Sequence, residues 1–400
     1  MSGVTRILCG SLLIVLLLFC GCYPGLRREA RDAQEAMRPV RFFYPSFHDD
    51  MPLSSLARAI RENLSYLYRL DPETPFQYGP HRFTCREVRG SQEAFLKLIE
   101  EDPGQDRLNQ VIQRDFLVYR AAGKVGDDQV LFTGYFEPVF QASLTPDHVF
   151  KYPLYRRPED LLRIDLSPFS ERLEGESIVA RIDGNRVIPY HSRCHIEGKG
   201  VLRGRGLEIA WLKDPVDVAF LQIQGSGKLR LADGRIISVG YDGSNGRPYR
   251  SIGRYMLKKG YLSRDEISMQ RIRAFLSAHP EMVQEVLNHN PSYVFFRTLE
   301  EGPLGSLGVP LTPGRSLALD SSLFPKGALA FISCVKPLLN NRQQIREWKR
   351  FSRFVMNQDT GGAIKGAGRA DLFWGRGPYA EMAAGHLKHE GRLYILIKKP

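Results

Sequence analysis

The sequence predicts a mainly β protein with peripheral helices, built as two domains. Three observations point there. At 400 residues the chain is longer than one compact core usually serves. From about residue 129 it becomes a series of short runs rich in Val, Ile, Phe and Tyr, punctuated by Asp-Gly turn signals. Its 37 Gly and 25 Pro suit a loop-rich β architecture better than a helix bundle.

Taken in order, the N-terminus comes first. Arg6 precedes an apolar run from Ile7 to Phe19, followed by Cys20-Gly21-Cys22. A charged start, a short apolar core and a small residue before a cysteine describe a secretory signal over residues 1–21. Gly21-Cys22 resembles a bacterial lipobox, which makes Cys22 the lipidation site. Phe19 stands where that motif prefers Leu. The apolar run is shorter than the roughly 20 residues a membrane-spanning helix needs, so a lipid anchor is the better reading than a transmembrane one. Tyr23 rather than Asp follows the cysteine, which by the same resemblance directs the protein to the outer membrane, facing the periplasm.

Residues 23 to 50 are mixed and Pro-containing and read as a tether. Leu53, Leu56, Ile60, Leu64 and Leu67 recur at helical spacing, as do Leu108, Val111, Ile112 and Phe116, so two or three helices are expected before residue 123. Gln129 to Phe140 reads as one strand and Val216 to Gln224 as another. Asp183-Gly184 and Asp233-Gly234 read as hairpin turns, because Asp-Gly accepts positive φ. Ser263 and Glu266 form a capping box ahead of a helix through Ile267, Ile272, Phe275 and Leu276. Residues 328 to 335 and 391 to 397 return to strands. There is no internal repeat and no low-complexity stretch.

Composition narrows the function. The apolar fraction of 43% and charged fraction of 25% are those of a globular chain. The net charge of +12 is spread along the sequence and fits nucleic acid, anionic lipid or an acidic polymer. No nucleic-acid-binding signature is present, so nucleic acid is the weakest of these. Beyond the N-terminal cysteines only Cys85, Cys194 and Cys334 remain, room for one disulfide and no framework. No C-x-x-C pair exists, and His191, Cys194 and His195 lack a third ligand at sensible spacing, so neither a metal nor a cofactor is expected. Gly225-Ser226-Gly227-Lys228 is a decoy for a phosphate loop: Gln222 occupies the place of its first glycine and Leu229 that of its Ser or Thr.

The densest segment runs from Asn357 to Gly375. Asp359 and Asp371 lie 12 residues apart, joined by a loop with four glycines, with Lys365 and Arg369 between and Phe373-Trp374 just beyond. Glycines let backbone approach a ligand, aromatic rings stack on sugar faces, and a carboxyl in a partly apolar cleft holds its proton nearer neutral pH. A turn-rich hairpin with loop-capping aspartates would look the same on composition alone. Three further blocks accompany it: Thr133-Gly134-Tyr135-Phe136-Glu137-Pro138, Phe220 to Gly227, and Gly240 to Gly246 with Tyr249 and Ser251-Ile252-Gly253.

Together the four blocks resemble the membrane-bound lytic murein transglycosylase A family with its C-terminal three-aspartate (3D) domain, from about residue 125 to the end. The resemblance implies a large domain with a double-psi β-barrel over residues 22–138 and 304–400, a smaller β-barrel domain inserted over 139–303, and a groove between them. It implies cleavage of peptidoglycan glycan strands at the β-1,4 bond between N-acetylmuramic acid and N-acetylglucosamine, leaving a 1,6-anhydro end. The family's acid and base falls on Asp371 with Asp359 beside it, either raising its pKa or orienting it, and Asp320 is structural. Thr133, Tyr135, Glu137, Gln224, Ser226 and Lys365 fall to the groove, though each also fits a buried hydrogen bond, a turn or a solvated charge. Partners are glycan strands, the membrane through the anchor, and other cell-wall enzymes. Two readings from other classes stand beside this one. Asp359-Thr360-Gly361 is the aspartic-protease tripeptide, here in a single copy, and a non-catalytic glycan-binding lipoprotein would carry the same surface.

Overall fold

The computed structural model describes residues 30, 32–124, 128–263, 266–300 and 302–400, so the signal segment and Cys22 lie outside the described residues. No helix among those described is long and apolar enough to cross a membrane.

An eight-stranded sheet organises one part of the molecule. Its order is Met37–Pro39, Phe116–Ala121, Lys388–Lys398, Leu329–Leu339, Ile345–Asp359, Ser316–Ala318, Arg369–Phe373, Val130–Tyr135. The last strand pairs back onto the third, Lys388 opposite Thr133 and Gly391 opposite Val130, so six of the eight close into a barrel. Two pairings in it are parallel, Ser316–Ala318 with Ile345–Asp359 and Arg369–Phe373 with Val130–Tyr135. This is the double-psi barrel. Phe132, Leu317, Phe331, Val355, Leu372 and Ile395 fill its core.

The leucines counted from the sequence lie on the helix Leu53–Leu67, whose buried face includes Leu56, Ile60, Leu64 and Leu67. It packs with the helix Cys85–Glu100, opened by a reciprocal capping box between Thr84 and Glu87. Gly104–Asp115 is the third long helix, and a single turn, Ala33–Ala36, precedes them.

A second sheet is built from the residues between: Val294–Leu299, Ile236–Ser244, Ser226–Arg230, Val139–Ser143, Glu208–Leu212, Tyr152–Tyr155. A bridge between Arg156 and Phe296 brings its last strand against its first, so it too curls closed. Leu154, Leu212, Leu221, Leu229 and Phe296 form its core. Both Asp-Gly turns occur, with Gly184 at φ +60° and Gly234 at φ +86°.

Four expectations are corrected. Val216 to Gln224 is not a strand but part of the helix Pro215–Gln224, with Asp214 capping it and Gly225 ending it in the left-handed region. Its continuous apolar run reflects burial on two sides: Val218 and Leu221 enter the core of the second sheet, while Val216, Ala219 and Phe220 enter a separate helical cluster. An apolar run that short does not distinguish helix from strand. Gln129 to Phe140 is two strands, Val130–Tyr135 and Val139–Ser143, parted at Phe136-Glu137-Pro138 where the chain leaves the barrel. Ser263 and Glu266 do bond, but the helix that follows starts at Met269 under the cap of Ser268.

Residues 32–50 are no tether. Met37–Pro39 pairs with Phe116–Ala121, the strand that extends the sheet beyond the barrel, Asp49 bonds the fully buried Arg315, and Asp50 bonds Arg353. A charged, Pro-containing stretch reads as solvated until its partners, some 300 residues away in sequence, are known. Cys85, Cys194 and Cys334 all carry free thiols; the first and last are buried and Cys194 is exposed, so the one bridge the count allowed does not form.

Candidate active site

The site is a row across the barrel wall. Asp359 pairs with Ala318, Ala318 with Asp371, and Asp371 with Thr133, on four adjacent strands. Residues in register across a sheet project to the same side. The alternate positions Phe132, Leu317 and Leu372 enter the main core, so this row faces outward. Tyr135, Leu311, Ala318 and Phe373 form a small apolar cluster on that face. Strands about 4.8 Å apart place the Asp359 and Asp371 backbones roughly 9–10 Å from each other. Ala318 lies between the two in register.

The three aspartates differ in what occupies their oxygens. Asp359 Oδ1 accepts from the backbone N–H of Thr360 at 2.8 Å and of Ser306 at 2.9 Å, and its Oδ2 accepts from the Tyr135 hydroxyl at 2.9 Å. Asp320 accepts from the N–H of Gly366 at 2.8 Å and from the N–H and Oγ of Ser322 at 3.1 and 2.8 Å. Lys365 Nζ stands 3.8 Å from the same carboxyl. Asp371 accepts one bond from the described residues, at its Oδ1 from Thr133 Oγ1 at 2.7 Å. Among the described residues, nothing hydrogen-bonds its Oδ2.

Those differences set the acidities. Removal from water pushes Asp371 up to about 6, while the Thr133 hydroxyl and the Arg369 guanidinium pull it down and the Asp359 charge adds to the rise. Burial also raises Asp359, against the pull of its bonds from Thr360, Tyr135 and Ser306. At Asp320 burial is outweighed by the bonds from Gly366 and Ser322, and the group sits below the ordinary carboxylate range. Burial, then the charges of Asp359 and Asp371, keeps the Tyr135 phenol well above its usual value, so it remains a donor. Asp371 is thus the carboxyl that can hold a proton near neutral pH and present it on an unoccupied oxygen.

The remaining expected residues divide. Thr133 and Tyr135 join the row directly. Glu137 is buried at the exit from the barrel, with its N–H bonded to the Gly375 carbonyl and Lys228 3.9 Å away; burial raises its pKa against Lys228 and Arg376. Gln224 turns inward: its Oε1 accepts from the Phe136 N–H at 2.9 Å and its Nε2 faces Met269 Sδ at 3.3 Å. Ser226 is buried at the start of its strand, opposite Gly240. Lys365 is largely exposed.

Three contributors were not assigned to the site from sequence, although Arg369 and Tyr249 lie in the blocks quoted there. Ser306 clamps Asp359 through its backbone, which side-chain chemistry cannot reveal. Arg369 lies two residues before Asp371 on the same face and bonds Thr133; that i,i+2 spacing on a strand was a legible signal. Tyr249 comes from the inserted part. Its phenol is raised by burial, with the Asp371 charge a lesser cause, which places it in electrostatic reach of the acid.

Gly225 to Lys228 connects a helix to a strand, the reverse of a phosphate loop. No group of three or more metal-ligating side chains occurs among the described residues. A carboxyl able to hold a proton near neutral pH, set on a double-psi barrel with a second barrel inserted in it, is suited to general acid–base chemistry.

Comparison with known proteins gives the family. Residues 131–297 match the MltA specific insert domain and residues 315–397 the 3D domain. The chain is 35% identical over 276 residues to the membrane-bound lytic murein transglycosylase A of Vibrio cholerae, covering 68% of this chain and 67% of that one. Against the protein of that name from Escherichia coli K12 it is 34% identical over 274 residues, covering 68% and 66%. Among solved structures, a membrane-bound lytic murein transglycosylase from Agrobacterium tumefaciens superposes with a TM-score of 0.74 at 33% identity, over 91% of this chain and 98% of that one. E. coli MltA with bound chitohexaose gives 0.67 at 25% identity, over 95% and 100%. The chain belongs to the membrane-bound lytic murein transglycosylase A family.

Proposed function

We propose that this enzyme, a lytic murein transglycosylase, works with Asp371 alone as acid and then base. The observation that carries this reading is the unequal occupancy of the aspartates. Asp359 and Asp320 have their oxygens engaged by protein donors, whereas none of the described residues bonds Asp371 Oδ2 and burial pushes its pKa up to about 6.

Glycosidases that use water or a covalent intermediate need a second working carboxyl. Here the second carboxyl is committed, and the substrate supplies the nucleophile instead. Asp371 gives its proton from Oδ2 to the glycosidic oxygen as the bond from C1 of N-acetylmuramic acid breaks. The 6-hydroxyl oxygen of that sugar attacks C1, and its proton passes to the Asp371 carboxylate. The acid is regenerated, no water is consumed, and a 1,6-anhydro ring remains. Intramolecular attack gains from proximity. Tyr135 and Asp359 hold the floor of the site, Asp320 ties down the glycine loop through Gly366, and Thr133, Glu137, Ser226 and Lys365 border the groove. Chitohexaose in the E. coli relative supports a β-1,4 glycan as ligand.

Cys22 carries the lipid, which tethers the enzyme to the outer membrane facing the periplasm; the naming of the relatives as membrane-bound supports this. Residues 22–138 with 304–400, and 139–303, form its two domains. Digestion of purified peptidoglycan by the form lacking residues 1–22 tests the chemistry. Fragments one water lighter than hydrolytic products are expected, and Asp371→Asn abolishes them while retaining binding to insoluble peptidoglycan. Reducing-end fragments alone would sink the reading. For the anchor, Cys22→Ala releases the protein from the membrane fraction.

A further inference from the structure

We propose that Arg369 is a positioning residue for cleavage: by donating to Thr133 it fixes that hydroxyl as a donor to Asp371 Oδ1, and so keeps the transferable proton on Oδ2. This rests on the reading of Asp371 as the acid. Arg369 Nη2 lies 3.4 Å from Thr133 Oγ1, and Oγ1 lies 2.7 Å from Asp371 Oδ1. All three side chains share one face of two paired strands, since Arg369 and Asp371 are two apart and Asp371 is in register with Thr133.

The direction of that chain of bonds follows from the groups. A guanidinium only donates, so Thr133 Oγ1 must accept from Arg369. The hydroxyl has a single hydrogen, and with the guanidinium on one side it points to Asp371. A protonated carboxyl whose Oδ1 receives a hydrogen bond carries its own proton on Oδ2. Without Arg369, the Thr133 hydroxyl is free to turn over and accept from a proton on Oδ1, where the proton faces the protein instead of the glycan. Asp371 would then be protonated and idle.

Arg369 also acts through charge. The groups facing Asp371 are Arg369 on its own strand, Thr133 and Tyr135 on the neighbouring strand, Asp359 two strands away and Tyr249 from the inserted part. Lys388, the partner of Thr133 on the strand beyond, is exposed. Arg369 is the cation among them that favours ionised Asp371, so its removal lets the acid keep its proton to higher pH.

The test is a double-mutant cycle with a pH profile on purified peptidoglycan. Arg369→Met is expected to lower kcat about tenfold, a fraction of the ~10²–10⁴-fold that general acid catalysis supplies. KM stays unchanged and the alkaline limb of kcat moves to higher pH. Because Arg369 acts through Thr133, its effect on kcat largely disappears in a Thr133→Val background, while in a Thr133→Ser background, which keeps the hydroxyl, the loss on replacing Arg369 persists. Arg369→Lys keeps the charge, so its limb stays in place while kcat falls in the same Thr133-dependent way. That variant carries the test should the methionine variant not fold. The proposal is overturned if both kcat and limb match the parent, if only KM rises, or if the full loss persists with Thr133→Val. Turnover by Asp371→Asn would instead overturn the assignment of the acid itself.

Discussion

Replacing Asp359 by Asn separates its two roles, as a charge near Asp371 and as a clamp for the loop. Asparagine keeps the shape: its carbonyl oxygen still accepts from the N–H groups of Thr360 and Ser306, and its amide can donate to the Tyr135 hydroxyl oxygen. What disappears is the negative charge, which is among the causes holding Asp371 above the ordinary range. At roughly 9–10 Å and an effective dielectric of about 20–40, the repulsion is on the order of 1–2 kcal/mol. At about 1.4 kcal/mol per unit, the pKa of Asp371 then falls by about 0.7–1.4 units. The acid must enter the reaction protonated, so the alkaline limb of kcat moves to lower pH by that amount. Near pH 4 the variant keeps most of its rate, and at pH 7 it loses roughly five- to twenty-fivefold. The assay is release of soluble fragments from purified peptidoglycan between pH 4 and 8. A limb that stays in place or moves upward would show that Asp359 does not tune the acid. An equal loss at every pH would assign Asp359 to the geometry of the loop instead.

Three further outcomes are expected. Asp371→Asn should melt at a higher temperature than the parent at pH 7 and no higher at pH 4. The native carboxyl titrates at about 6, above its unfolded value, so its favourable contribution is complete at low pH and is lost as pH rises through 6. Scanning calorimetry at the two pH values reads this, and an equal shift at both would contradict it. Gly134→Ala places a Cβ 2.6 Å from Trp374 Nε1 and 2.9 Å from the Ala384 Cα, an overpacking that costs about 1–3 kcal/mol and lowers the melting temperature by several degrees. Asp49→Ala strips the buried Arg315 of its carboxylate, at a cost of about 3–5 kcal/mol, seen in urea denaturation; a solvated tether over residues 23–50 would predict no change.

How much of this was legible in the sequence depends on how far apart the partners lie along the chain. The helix Leu53–Leu67 and the hairpins at Gly184 and Gly234 were readable because their signals are local. A leucine stripe repeats every three or four residues, and a glycine reports its own φ. The helix Pro215–Gln224 was misread although its Asp-Pro start and Gly end are also local, because burial on two sides erased the period that would have named it. Its termini outweighed its interior as evidence. The strand Met37–Pro39 and the Asp49–Arg315 pair were unreadable in principle, since a carboxylate in a loop has the same sequence whether it meets water or an arginine 266 residues away.

The active site shows the same division within a single constellation. Asp359 and Asp371 were found because they share one glycine-rich segment. What makes one an acid and the other a clamp comes from elsewhere: Tyr135 is 224 residues from Asp359, and Thr133 is 238 from Asp371. The parallel pairing of Arg369–Phe373 with Val130–Tyr135 is the step that turns those separations into hydrogen bonds. It also explains the place of Ala318. That residue lies between the two aspartates in register, and a larger side chain there would wedge between the carboxyls and press on Tyr135 and Phe373 in the apolar cluster. Ala318→Leu should therefore cost activity far more than its change in hydrophobicity suggests, by displacing Asp371 from Thr133. Loss of rate at a temperature where the variant is still fully folded, beyond what the fall in melting temperature from overpacking explains, is the expected pairing. A variant as active as the parent would mean that the spacing of the two carboxyls does not matter to the acid.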